Sequence, residues 1–122
     1  MSISNYAENK ILGHLTGVLT WTKPTNVYIQ LHTGEPGEDG TDNVAGYSAR
    51  QISSWSAAAD GSISISSSVD WPNVNTTETY SHWSAWDAEV GGNCLWTGSL
   101  TANVAVSSGD SFQFTDLTLS ID

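Results

Sequence analysis

Four carboxylates crowd into one short stretch, LHTGEPGEDGTDNVAG at 31–46: Glu35, Glu38, Asp39 and Asp42, set among four glycines and a proline. Oxygen ligands at this density are what a hard cation such as calcium requires. The spacing is not that of a calcium loop, because EDGTDN lacks the alternating Asp or Asn ligands with Gly at the sixth place and Glu at the twelfth. Two carboxylates can also act as acid and base on a glycosidic bond when they stand roughly 5–10 Å apart in unlike environments. With thirteen acids in the chain, no pair is singled out. The stretch therefore predicts no metal and no cofactor. It reads as an acidic surface loop that another protein can contact.

The remaining reactive side chains give no catalytic constellation. His14, His32 and His82 are accompanied by no HExxH, no nucleophile elbow and no glycine-rich phosphate loop, so they read as packing or surface histidines. Cys94 is the one cysteine and has no disulfide partner in the chain; within NCLWTG it reads as a buried, inert thiol. With no CxxC or Cys/His cluster, structural zinc is not expected. The six tryptophans, at 21, 55, 71, 83, 86 and 96, supply core volume or binding anchors. Trp83 and Trp86 differ by three, so on one strand they point to opposite faces. One of the two then needs a cover: another element, a second subunit, or a ligand such as a sugar stacked on the ring. The chain is read as a non-enzyme.

These residues need elements to hold them. Ile3, Ala7, Ile11, Leu15 and Val18 recur at helical spacing, which predicts one amphipathic helix over 3–18. Ser2, Ser4 or Asn5 is placed to cap it, Asn5 and Glu8 resemble a capping box, and Gly17 is placed to stop it. From NVYIQLH at 26–32 the period becomes two, which is the clearest strand signal. Further strands are expected in ARQISSWSA, GSISISSSVDW, TYSHWSAWDA, NCLWTGSL, ANVAVS, DSFQFT and LTLSID, with AEVGGN and SSGD as hairpin connections. Short strands so punctuated predict a mainly β fold, an antiparallel sandwich or barrel-like domain with one N-terminal helix. The expected organisation is a single domain over 1–122, with a helix region at 1–18 and the β domain at 25–122.

Bulk chemistry narrows the partners. Thirteen acids against three Lys or Arg give a net charge of -10, which opposes a phosphate backbone or an anionic membrane, so neither nucleic acid nor membrane is an expected partner. The start, MSISNYAENK, has no basic region followed by an apolar one, so synthesis in a cytoplasm without a signal peptide is expected.

The ordered motifs SNYAENKIL, NVYIQLHTGEPGEDGT, GYSARQ, SHWSAWDAEVGGNCLWTGSLT and VSSGDSFQFTDLTLSID span nearly the whole chain. In type and order they resemble the small virion structural proteins of tailed bacteriophages, which are described variously as tail fibre, head decoration or cyanophage capsid cement proteins. The resemblance implies a non-enzymatic part of the particle. Charge disfavours the inner head surface, where packaged DNA lies, and a short chain without repeats or heptads makes a compact knob rather than a full fibre. The expectation is thus a cement subunit on the outer capsid, a homo-oligomer bridging major capsid proteins or other virion proteins. A tail-fibre or tail-tip protein that binds a receptor or glycan is the alternative. The expected contact residues are Tyr6, Glu35, Glu38, Asp39, Asp42 and Trp83.

Overall fold

The computed structural model describes residues 2–121. Its centre is a sheet built on β2 (Val27–His32), β6 (Glu78–Trp86) and β7 (Cys94–Val106), with β1 (Ser2–Ile3) outside β7 and β3 (Gln51–Ser53) outside β2. All four pairings are antiparallel. Two ribbons complete the fold: β4 (Ser62–Ser64) with β9 (Thr118–Ser120), and β5 (Val69–Trp71) with β8 (Phe112–Phe114). The mainly β, antiparallel fold with one N-terminal helix is as the sequence predicts; of the two architectures expected, the sheets do not close into a barrel.

Strand register gives the sheet two unlike faces. Ile29 and Leu31 stand opposite Ala85 and Trp83, which stand opposite Trp96 and Gly98, so these six share a face. That face joins Val69, Trp71 and Phe114 of the β5–β8 ribbon in one apolar cluster. Ring pairs lock the layers: Tyr80 to Phe112 at 5.3 Å, and Trp71 to Phe114 at 5.6 Å, the latter near edge-to-face. The other face carries Gln30, His32, Ser84 and Trp86, and all four are also buried.

Several boundaries differ from expectation. The helix, α1, runs Asn5–Leu15, because Ile3 is taken into the sheet opposite Trp96. Ser4 is the cap: its Oγ accepts from Ala7 N–H at 3.1 Å and donates to the Cys94 carbonyl at 2.6 Å. The Asn5–Glu8 capping box does not form. Gly17 ends the helix as predicted, at φ +79°, with Val18 N–H returning to Gly13 O and Gly17 N–H to His14 O. Only Ala7 of α1 is fully buried; Leu12 and Leu15 on the helix, and Val18 just beyond it, face outward. NCLWTGSL and ANVAVS form one strand, β7, in which residues 100–103 bulge between the Tyr80–Val104 and His82–Ser99 pairs. GSISISSSVDW divides into β4 and β5, which pair with different partners.

Candidate functional site

The acidic loop is a folded cover over the polar face. Its ends are tied by Thr33 N–H to Asn43 O (2.9 Å) and Ala45 N–H to Leu31 O (3.0 Å), and its interior by Asp42 N–H to Pro36 O (2.9 Å) and Asn43 Nδ2 to Glu35 O (2.9 Å). Gly40 shows why glycine is needed here. It has φ +70°, and a Cβ there would lie 2.7 Å from Cys94 Sγ and 2.9 Å from Trp86 Cζ2.

Beneath this cover runs a buried hydrogen-bond relay. His32 Nδ1 lies 2.8 Å from the Asp42 carbonyl, His32 Nε2 lies 2.7 Å from Ser84 Oγ, and Trp86 Nε1 donates to the same Oγ at 2.7 Å. A carbonyl only accepts, so Nδ1 carries the hydrogen; burial lowers the His32 pKa and leaves Nε2 a neutral acceptor. Ser84 then donates to Nε2 and accepts from Trp86, which satisfies every member. The order hydroxyl, imidazole, acceptor is that of an activated serine, but His32 and Ser84 are both 0% exposed. Ser84 Oγ is thus closed to solvent, and the relay ties the loop to the sheet.

Trp86 answers the question raised by the Trp83–Trp86 spacing. Its cover comes from the chain itself: the Arg50 guanidinium stacks on the ring at 3.9 Å from the centroid. Arg50 also donates to the Ala88 and Gly91 carbonyls at 2.8 and 2.7 Å, which fixes the 87–93 connection. Cys94 is buried, and burial pushes its thiol up to about 11, so it is not a thiolate at neutral pH.

The expected contact residues separate into three places. Tyr6, Glu38 and Asp39 come together around a shallow pocket of about 230 Å³ whose floor includes Trp86 and Cys94. There Glu38 Oε1 accepts from Asn5 N–H at 2.7 Å, so the acidic loop and the first turn of α1 are one surface. Glu35 stands apart, beside His82, Thr97 and Ser99. Asp42 is exposed, and its contribution to the relay is its backbone carbonyl. Trp83, at 1% exposure, is a core residue lying over Gly98 of the neighbouring strand, and it meets the outside only as part of the lining of a groove beside β7. Among the described residues no three His, Cys, Asp or Glu side chains form a metal-holding group.

The predicted apolar stripe contains Leu15 and Val18 but not Leu12, and the structure leaves all three uncovered. Leu12, Leu15 and Val18 are 58%, 78% and 80% exposed. Helical spacing marks an apolar stripe without saying what covers it, and here the stripe outruns the sheet beneath it. Arg50 was missed, although it is the only arginine in the chain.

A profile of the family described as "Podophage GP4 fiber I protein gp80" matches residues 2–122. The chain belongs to this podophage fibre protein family. No curated protein matches the chain. The membership makes it a structural protein of a phage virion, in keeping with the resemblance carried by its motifs. Two surfaces of this chain stand open: the acidic loop with the first turn of α1, and the exposed apolar end of the same helix.

Proposed function

We propose that this chain is a non-enzymatic structural module of the podophage fibre, which docks on a neighbouring virion protein through α1 and the acidic loop joined to it. The observation that carries the reading is the exposure of Leu12 and Leu15 at the end of α1 and of Val18 just past it, on a helix whose other end is fastened to the sheet. A helix anchored at one end and apolar at the other presents a rigid docking edge. Burying three such side chains stabilises a contact by about 4–6 kcal/mol before association costs. The fibre family match over 2–122 supports a fibre location ahead of the capsid cement expected from size and charge.

Gold labelling of this chain on intact virions tests the location. Label on the fibres is expected, and virions lacking the chain lose adsorption while their heads keep normal heat resistance. Label over the head, with heat-sensitive heads in its absence, overturns the fibre reading in favour of decoration. The docking helix is tested by Leu12→Ser/Leu15→Ser/Val18→Ser, which is expected to fold normally and to be lost from purified virions. Normal incorporation of that variant refutes docking through α1.

A further inference from the structure

The longest strand leaves one of its edges open. β7 spans thirteen residues and pairs with β6 along one edge, but β1 covers its other edge only at Trp96 and Thr97. From Gly98 to Val106 that outer edge has no strand partner among the described residues. Natural edge strands are protected by charge, by Pro, by a covering element or by a bulge. Residues 90–109 hold neither a charged side chain nor a proline, twenty positions in a row. The bulge at 100–103 is the one device present, and Leu100 and Val104 there line an open groove of about 440 Å³ whose opposite wall is Phe112, Phe114 and Leu117.

Charge selects the occupant. Two chains at net -10 repel wherever acids face acids, and such repulsion acts over roughly 8 Å at physiological salt. Along the β7 edge two copies can meet with few opposing carboxylates: Asp116 is the one acid lining its groove, and Glu35 stands beside only the first residues, Gly98 and Ser99. A basic partner would be drawn to the acidic loop rather than to a strand edge with no charged side chain of its own. Antiparallel pairing also lets one strand meet its own copy across a two-fold axis, so a single surface is self-complementary.

We propose that two copies of this chain associate edge to edge along Gly98–Val106 of β7, with apolar side chains of each entering the groove of the other. The pairing does not depend on where in the virion the chain sits. Sedimentation equilibrium of the full chain at physiological salt is expected to give a dimer, twice 13.0 kDa. Thr101 and Asn103 are exposed, so Thr101→Glu/Asn103→Glu adds like charges to the edge without touching the core. That variant is expected to weaken dimerisation by at least about a hundredfold, and to melt like the wild type at concentrations low enough for both to be monomers. Ser56→Glu/Ala58→Glu adds the same charge at exposed positions elsewhere and is expected to remain dimeric. A monomeric or higher-order wild type overturns the proposal. So does a dimer indifferent to the edge variant, or one lost equally in both variants.

Discussion

Gly98 faces Trp83 across the β6–β7 ladder, and that contact sets a sharp test of the core. A Cβ at position 98 would lie 2.5 Å from Trp83 Cζ2, 2.6 Å from Cε2 and 2.8 Å from Nε1, where ordinary van der Waals contact begins at 3.4 Å. Trp83 cannot swing aside, because it is 1% exposed and paired with Leu31 on its other side. Gly98→Ala has a favourable term, about 0.4–1 kcal/mol from the stiffer unfolded chain. Against it stands overpacking of a closed core, about 1–3 kcal/mol. The clash wins, with a net loss of about 1.5 kcal/mol. Spread over 122 residues at about 2.1 cal/mol/K each, that lowers Tm by about 6 °C. Calorimetry or circular dichroism melts would measure it. In the Trp83→Phe background the same Gly98→Ala change is expected to cost about 1 kcal/mol less, since the smaller ring vacates the overlap. A Gly98→Ala chain as stable as wild type, or more stable, refutes the packing argument.

Two further outcomes follow from the loop clamp and the helix cap. Burial lowers the His32 pKa below the ordinary 6.5, so the unfolded chain binds the extra proton first; stability is full above about that pH and is lost as pH falls. Denaturant titrations between pH 7.5 and 5 are expected to show this loss and to show less of it in His32→Gln; equal slopes in the two proteins would count against the clamp. Ser4→Ala, which removes the bonds to Ala7 N–H and the Cys94 carbonyl, is expected to cost about 1–2 kcal/mol at unchanged m value, whereas Asn5→Ala stays within about 0.5 kcal/mol. The reverse order would restore Asn5 as the cap.

Much of this fold is legible in the sequence where a pattern has one cause. VYIQLH alternates because neighbouring residues face different layers, and the strand is where the alternation says. The same alternation suggests one wet face, yet Gln30 and His32 are buried along with Ile29 and Leu31. No local pattern announces that a loop of acids and glycines will fold back over them. The helix prediction ran too long for a related reason: Ile3 fits a helical stripe and a strand equally, and pairing with Trp96 decided between them. At the candidate site, the acids were visible as a cluster, but their separation into a cap for α1, a neighbour of His82 and a carbonyl in the relay depends on chain path. Trp83 was placed at a contact surface on residue type, and it is the cross-strand glycine beneath it that draws it into the core.

The two unlike faces of the sheet also bear on how the strands find their alignment. Sliding β2 by one residue against β6 would turn Gln30 and His32 among Trp71, Trp83 and Phe114, and would place Ile29 and Leu31 against Ser84 and the loop carbonyls. In a sheet with one wet face such a slip is penalised on the dry side alone. Here both layers reject it, one by burying unpaired polar groups and the other by leaving the Ser84 hydroxyl and the Asp42 carbonyl without partners. A misaligned β2–β6 pair therefore has no half-satisfied state in which to linger, and the central strands are held to a single alignment before any partner arrives.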